Sequence, residues 1–393
     1  MKTYDWIVIG GGITGAALAY ELIKHGLRVL LLERDRYPHS ATYYSYGGVA
    51  YWSGTTPITR QLCRESQQIL SHLAQELQGE TEYRELNLVL TIPPEQDPQS
   101  IQRHYANCFN PPQLLRVDEA CELEPLLNPN AIAGALTVAH GHIHAQKTTL
   151  AYINAFLRLG GTIAIEPGVN LLCQNHQITG VITPKDTYQA ENTVICAGAL
   201  SRSFLQANQI DIPLYFSHAQ VIKTPPLNIR LRTLVMPALL QRLQLETTAR
   251  QPNQSEIWRS RNSTLMAEIT EAGAIQFLDG HLYLGQTSQI IPDPHALPDL
   301  ARIEAEIRQQ IATILPALAD VPGTCHHCLV AFSDPSQPLV GRIKQFEGLF
   351  LFSGFTSPLA YAPPLARHFA QWVAQGQDDI LDQFAPIGSS GNV

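Results

Sequence analysis

Apolar positions near the start of this chain come in two rhythms. Trp6-Ile7-Val8-Ile9 and Val29-Leu30-Leu31-Leu32 are unbroken apolar runs, as expected of strands covered on both faces of a parallel sheet. Between them Ala16, Ala17, Leu18, Leu22 and Ile23 share one face of a helix over 13–25, which Gly26 stops. The pattern therefore predicts a strand over 4–9, that helix, and a strand over 28–32. Farther on, 58–78 reads as an amphipathic helix and the Pro-rich stretch to about 130 as irregular. A helix over 147–159 leads to a strand at 162–165, short strands near 169–173 and 178–183, and a buried strand at 193–196. Residues 212–330 suggest strands near 218–223, 257–269 and 281–285, then a helix over 298–315. The tail returns to α/β character, with a strand at 348–352 and a helix at 362–374.

Composition narrows the class. With 393 residues, 45% of them hydrophobic and 15% charged, the chain suits two connected domains with a sizeable interior. The formal net charge is −8 and no basic run occurs, which argues against a nucleic-acid partner. No stretch of about 18 apolar residues suggests a membrane span, and the first residues lack the features of a signal peptide. The cysteines (Cys63, Cys108, Cys121, Cys173, Cys196, Cys325 and Cys328) are scattered and odd in number, which points to reduced thiols and a cytoplasmic setting. No repeat is visible.

Gly10-Gly11-Gly12-Ile13-Thr14-Gly15 fits the G-x-G-x-x-G fingerprint, with a strand before it and a helix after it. Gly10 permits the tight turn, Gly12 lets the backbone approach a pyrophosphate, and Gly15 lets helix and strand pack closely. The pyrophosphate would rest on the free N–H groups and positive dipole end of the helix, beside Ile13 and Thr14. Glu33 follows Gly15 by 18 residues, at the end of the second strand and before Arg34. An acid there accepts from the ribose hydroxyls of an adenosine and repels a 2′-phosphate.

Further segments resemble the D-amino-acid oxidase, glycine oxidase and sarcosine oxidase family of flavoproteins. Ala41-Thr42-Tyr43-Tyr44-Ser45-Tyr46-Gly47-Gly48 stands where that family has a hydroxyl-to-Gly-Gly loop around the pyrophosphate and flavin. Gly168-Val169 resembles the strand whose valine holds adenine, and Cys196-Ala197-Gly198-Ala199 the turn over the ADP portion. Asp334-Pro335, then Pro338-Leu339-Val340-Gly341, resembles the family's PDG-x-P-x-x-G stretch. Gly354-Phe355-Thr356-Ser357 precedes the last helix, where the family docks the flavin pyrimidine ring. The resemblance implies FAD, bound by a discontinuous Rossmann-like domain (1–84, 141–211 and 322–393), with a second α+β substrate domain (85–140 and 212–321). It also implies oxidation of a small amine- or hydroxyl-bearing substrate, with oxygen or an unknown carrier as electron acceptor. A NAD-only protein would need neither the 42–48 loop nor the C-terminal return.

The family pattern breaks where it would grip a carboxylate. Counting from Asp334, the arginine of glycine and D-amino-acid oxidases falls at Leu329; counting from Gly354-Phe355, the lysine of sarcosine oxidases falls at Tyr361. Neither residue can pair with an anion as a cation does. Arg60, Arg259 and Arg261 are possible replacements, though solvated arginines are the plainer reading, and Tyr361 is the candidate substrate-facing group. The cysteine that carries covalent flavin in sarcosine oxidases falls at His327, one place before Cys328. His140, His142 and His144 would share one face of an extended segment, either as a metal site or simply exposed. Cys325-His326-His327-Cys328 lacks a second cysteine pair and reads as buried strand, so no metal site is expected. Tyr43, Tyr44, Tyr46, Tyr51 and Trp52 suggest an aromatic wall near the flavin or ordinary packing. No nucleophile–base pair is evident. Hydride transfer to flavin N5 is the favoured chemistry. A hydroxy-acid or polyol dehydrogenase feeding a quinone or carrier, and a flavin-binding protein without turnover, are the alternatives.

Overall fold

Alternating apolar runs and amphipathic segments fold here into two large sheets. A computed structural model describes residues 3–36, 40–168, 170–260, 263–333 and 337–386. The chain opens with β1 (Thr3–Ile9), α1 (Ile13–Lys24) and β2 (Val29–Glu33), as the apolar rhythm predicts. Next come β3 (Gly48–Val49) and α2 (Pro57–Glu76), the latter started by a reciprocal cap between Thr56 and Thr59. The stretch expected to be irregular is ordered. It holds β4 (Arg84–Ile92), α3 (Pro98–His104), β5 (Gln113–Leu115) and α4 (Val117–Leu123), and leads into β6 (Gly134–His142). Then follow α5 (Ala145–Arg158), β7 (Thr162–Ile165), β8 (Asn170–Gln174), β9 (Gln177–Ile182), β10 (Thr187–Ile195) and α6 (Leu200–Ala207).

The second half contains β11 (Leu214–Lys223), β12 (Leu234–Pro237), α7 (Gln241–Ala249), α8 (Ser255–Ser260) and β13 (Ala267–Thr270). The strand expected over 257–269 is thus mostly not one. Trp258 anchors α8, its indole N–H donating to the Ala249 carbonyl at 2.8 Å and its ring packed edge-on to Phe216. β14 (Ala274–Gln276), β15 (Leu282–Ile290), α9 (Leu300–Ile314) and β16 (Thr324–Ser333) follow. β17 (Leu339–Arg342), β18 (Leu349–Ser353) and α10 (Pro358–Gln375) complete the sequence of elements. α10 starts four residues earlier than expected because Pro358 sits at its first position, and it ends at Gly376, whose φ is +81°.

The first sheet runs β17-β18-β10-β1-β2-β7, with β18, β10, β1, β2 and β7 parallel. α1, α2, α5 and α10 bury one face, and α6 with the β8–β9 hairpin buries much of the other. From β1 the chain winds outward through β2 and β7, then restarts on the other side with β10 and β18. The strand order therefore reverses between β1 and β10. A crevice outside the C-terminal ends of the strands forms at such a reversal.

The second sheet runs β16-β11-β15-β14-β12-β4-β6-β3. β16 pairs with β11 along its whole length, so sheet membership changes after Ser333 rather than at 322. One face lies under Ile303, Ile307 and Ile311 of α9; the other meets the aromatic loop around Tyr44 and Trp52. Among the described residues no helix is long and apolar enough to cross a membrane.

Candidate active site

Parallel strands end in register. The C-terminal ends of β2, β1, β10 and β18 therefore lie in a row, carrying Glu33, Gly10, Cys196–Gly198 and Ser353–Gly354. Gly10 has φ +108°, and a Cβ there would lie 2.6 Å from the Cys196 carbonyl oxygen. A Cβ on Gly15 would lie 1.9 Å from the Gly10 carbonyl oxygen. Both positions demand glycine on space alone. Where Gly198, at φ +53°, would carry its Cβ, no atom lies within 4 Å, so the turn borders open space.

Three helices start along this row, α1 after Gly12, α6 after Ala199 and α10 after Ser357, and none has a side-chain cap. Each start presents a positive dipole end, which suits anions, although Leu200 and Ser201 already donate to the Ala197 and Gly198 carbonyls and Ala360 to that of Ser357. The Thr42 hydroxyl accepts from the Ile13 N–H at 3.2 Å and brings the 40–48 loop onto the α1 turn. The Thr14 hydroxyl reaches the Cys196 carbonyl at 3.5 Å. Glu33 accepts from the Gly11 N–H at 2.6 Å and the Asp35 N–H at 2.9 Å, one bond on each oxygen. Arg34 faces solvent and pairs with Asp35 at 2.7 Å. Ala41 and Ala197 pack at the margins of the two cores beside the row. Phe355 is buried against Phe352, and the Ser357 carbonyl accepts from Ala360 and Tyr361. Val169 lies outside the described residues.

The second sheet meets this row at two places. The Ser333 hydroxyl, at the end of β16, donates to the Gly354 carbonyl at 3.2 Å; within the row itself, the Ser353 hydroxyl donates to the Gly198 carbonyl at 3.2 Å. The Gly47-Gly48 loop makes the other junction. Gly47 has φ +73° and would drive a Cβ to 2.0 Å from the Ile143 carbonyl, while a Cβ on Gly48 would meet His140 Nε2 at 2.8 Å. The aromatic residues of the loop turn to the second sheet. The Tyr46 hydroxyl donates to the Gly285 carbonyl, the Tyr283 hydroxyl donates to the Tyr43 carbonyl at 3.2 Å, and Tyr44 stacks on His326 at 4.6 Å. The Lys223 ammonium stands over the Tyr43 and Tyr283 rings at 5.6 and 5.8 Å.

Strand alternation decides which residues of β16 face this loop. Cys328 and Val330 pack with Tyr44, Tyr46 and Tyr283, whereas Leu329 packs on the opposite face with Phe216 and Trp258. His327 points away as well, its Nε2 2.9 Å from His218 Nδ1. The expectations for Leu329 and His327 are therefore off by one residue. Asp334 and Pro338 are one residue farther apart than the family pattern, and counting back from Pro338 gives Val330 and Cys328. The anchor position is apolar on either count. Burial pushes the Cys328 thiol up to about 12, so it stays protonated.

The other candidates are placed plainly. The Tyr361 hydroxyl, on the first turn of α10, lies beside Ser53 and Cys63, and burial raises its pKa. Arg60 ties down the Asn107 carbonyl at 2.8 Å, and Arg259 forms an exposed pair with Asp211 at 3.8 Å. Arg261 lies outside the described residues. The histidines are not simply exposed, as the sequence allowed: His140 is 4% exposed and His142 0%, because β6 is flanked by β4 and β3. Burial pushes both imidazoles down to about 3. Among the described residues no three His, Cys, Asp or Glu side chains form a metal-binding group. Sequence reasoning missed Glu246 and Glu271, whose carboxyls burial raises; Glu246 lies 3.4 Å from Arg242. No signal pointed to them, because α7 and the bounds of β13 were not legible.

A row of strand ends at a topological switch point, a glycine cradle and an acid at the second strand define a dinucleotide-binding flavoprotein architecture. The chain belongs to the FAD dependent oxidoreductase (DAO) family, whose model matches residues 5–372. It is 29% identical over 220 residues to human peroxisomal sarcosine oxidase, a match covering 54% of each chain. The matched segment is thus about half the length of that relative. It is 23% identical over 395 residues to glycine oxidase from Pseudomonas aeruginosa, covering 97% of this chain and 98% of that one. The crystal structure of glycine oxidase from Geobacillus kaustophilus superposes with a TM-score of 0.79 at 18% identity, covering 100% of both chains. The residues fit FAD: three helix N-termini at the strand ends, glycines a Cβ would block, and a buried His140 Nε2 without a partner among the described residues.

Proposed function

We propose that the chain oxidises a small amine or amino-acid-like substrate, with hydride leaving the carbon beside nitrogen. The observation that carries this reading is the convergence of the β1, β10 and β18 ends, with their uncapped helices, on the aromatic face of the second sheet. FAD, when bound, supplies the two-electron acceptor at its N5. The protein's part is to bind and orient. The start of α1 holds the pyrophosphate, Glu33 the ribose, and the start of α10 favours negative charge on the pyrimidine edge. Gly47 and Gly48 let the loop backbone approach the ring, and Ala197 and Gly198 border the adenosine half. Tyr43, Tyr44, Tyr46 and Tyr283 wall the substrate side and exclude water.

With Val330 and Tyr361 at the usual anchor positions, neither offers a cation to a substrate carboxylate. A simple α-amino acid is therefore a poorer fit than an N-substituted amine. Anaerobic mixing of the purified holoprotein with amines, amino acids and hydroxy acids tests this, read as bleaching of the oxidised-flavin band. Amines should bleach it fastest. Bleaching by hydroxy acids alone would replace the reading with an alcohol dehydrogenase, and bleaching by none would leave a flavin-binding protein without turnover. The rate of reoxidation by oxygen then separates an oxidase from an enzyme that hands electrons to a carrier.

A further inference from the structure

Two buried imidazoles on β6 face the Gly47-Gly48 loop, and their protonation can be read from their partners. The Trp52 indole N–H donates to His140 Nδ1 at 2.9 Å. An indole nitrogen only donates, so Nδ1 accepts and a neutral ring carries its proton on Nε2. Burial keeps the ring neutral, at about 3. His140 Nε2 is buried and has no partner among the described residues. An unmet buried donor costs about 1–3 kcal/mol, which makes it an exception that calls for an acceptor.

The surroundings say where that acceptor comes from. A Cβ on Gly48 would lie 2.8 Å from His140 Nε2 and 3.4 Å from Leu234 Cδ1. Gly48 does not adopt the left-handed φ that Gly47 does, so its backbone would tolerate another residue. What excludes a side chain is the imidazole itself. His142 repeats the pattern one step along the strand: the Arg84 Nε–H donates to its Nδ1 at 3.3 Å, and its Nε2 stands 3.0 Å from the Cβ position of Gly47. His142 Nε2 is likewise buried without a partner among the described residues, but the Ile143 carbonyl, 2.0 Å from the Cβ position of Gly47, closes that side. At Gly48 only side chains, His140 and Leu234, stand within 4 Å of the Cβ position.

We propose that His140 is a cofactor-contacting residue, locked by Trp52 in the tautomer that donates its Nε2–H to an acceptor atom of the bound flavin ring past Gly48. This role lies outside the nucleotide fingerprint, on the second sheet, and it makes Trp52 a positioning residue. A neutral donor at the ring stabilises the electron-rich reduced form and the sulfite adduct without introducing a charge. The inference rests on FAD binding and not on the substrate, so failure of the amine screen leaves the following readouts intact.

The test uses purified holoprotein and variants His140→Phe, His140→Gln and Trp52→Phe. His140→Phe should retain stoichiometric FAD, bind sulfite about tenfold more weakly, and lower the two-electron reduction potential by about 30 mV, the equivalent of tenfold for that couple. His140→Gln, which restores an N–H, should stay within about threefold of the parent. Trp52→Phe releases the tautomer and should shift both quantities in the same direction by less. Should His140→Phe fail to fold, the parent protein with 15N-labelled histidine decides: the His140 Nε2–H resonance moves when the flavin is reduced with dithionite. Unchanged sulfite affinity and potential in FAD-loaded His140→Phe, or a resonance indifferent to flavin reduction, overturns the proposal.

Discussion

Gly15→Ala is the sharpest probe of the cofactor cradle. The added methyl would lie 1.9 Å from the Gly10 carbonyl oxygen and 3.1 Å from Cys196 Cβ. Gly10 cannot yield, because its own Cβ position is only 2.6 Å from the Cys196 carbonyl oxygen. Ordinary contact begins near 3.4 Å, so the start of α1 would have to lift by about 1.5 Å in a close-packed interior. Overpacking of this kind costs about 1–3 kcal/mol. The lift also carries the first-turn N–H groups out of hydrogen-bond range of a pyrophosphate. A hydrogen bond to a charged group contributes about 1.5–3 kcal/mol, so loss of one weakens FAD binding roughly 10- to 150-fold. Fluorescence titration of apoprotein with FAD measures this, and a thermal melt measures the stability loss. Gly26→Ala is the control. Gly26 has φ +78° with nothing within 4 Å of the added carbon, so it should lose about 1–2 kcal/mol of stability and keep its FAD affinity. FAD affinity in Gly15→Ala within threefold of the parent would refute the assignment of the pyrophosphate to the α1 turn.

Glu33→Gln removes the charge that accepts from Gly11 and Asp35 and replaces one acceptor oxygen with a donor. FAD affinity should fall about tenfold by calorimetry, and unchanged affinity would rule out a ribose contact. His368 lies between Glu65 at 2.9 Å and Asp378 at 2.8 Å. Burial disfavours its charge, but the two carboxylates outweigh that and raise its pKa. The contribution to stability is therefore full below the unfolded value of about 6.5 and fades as pH rises through the higher folded value. His368→Gln should lower Tm more at about pH 6 than at about pH 9, and an equal loss at both would contradict the charged bridge. Acid precipitation of the holoprotein should release its flavin into the supernatant, because the Cys328 thiol is buried and held protonated. Flavin remaining with the pellet would show a covalent link instead.

The nucleotide half of the molecule was legible because its signals are local. Continuous apolar runs mark β1 and β2, amphipathic spacing marks α1, and the turn between them leaves no choice but glycine at Gly10 and Gly15. The second sheet was much less so. β4 begins Arg84-Glu85-Leu86-Asn87, with polar residues on its outer positions, and α3 and α4 are only seven residues long. Short helices fixed by one cap, such as Asp97 on Ser100, carry little periodicity. Around 257–269 the apolar Ile257 and Trp258 resembled a strand, but burial of Trp258 beneath Tyr215 and Phe216 is a tertiary preference. The slip on β16 has a different origin. One additional residue before Pro338 inverts which side chains face the loop, and only pairing with β11 fixes that register. His140 shows the same limit, since its neutral tautomer depends on Trp52, 88 residues away.

The strand order of the first sheet also constrains how this enzyme can be made. β1 is synthesised early, yet its neighbour β10 arrives only with residues 187–195 and β18 only with 349–353. At roughly 5–20 residues per second, the nascent β1 waits on the order of ten to forty seconds with one edge unpaired. An apolar strand in that state is prone to adhere to other chains. The flavin half of the cradle closes later still, so cofactor loading waits for β18, and a ribosome stalled before β18 leaves a chain unable to complete it.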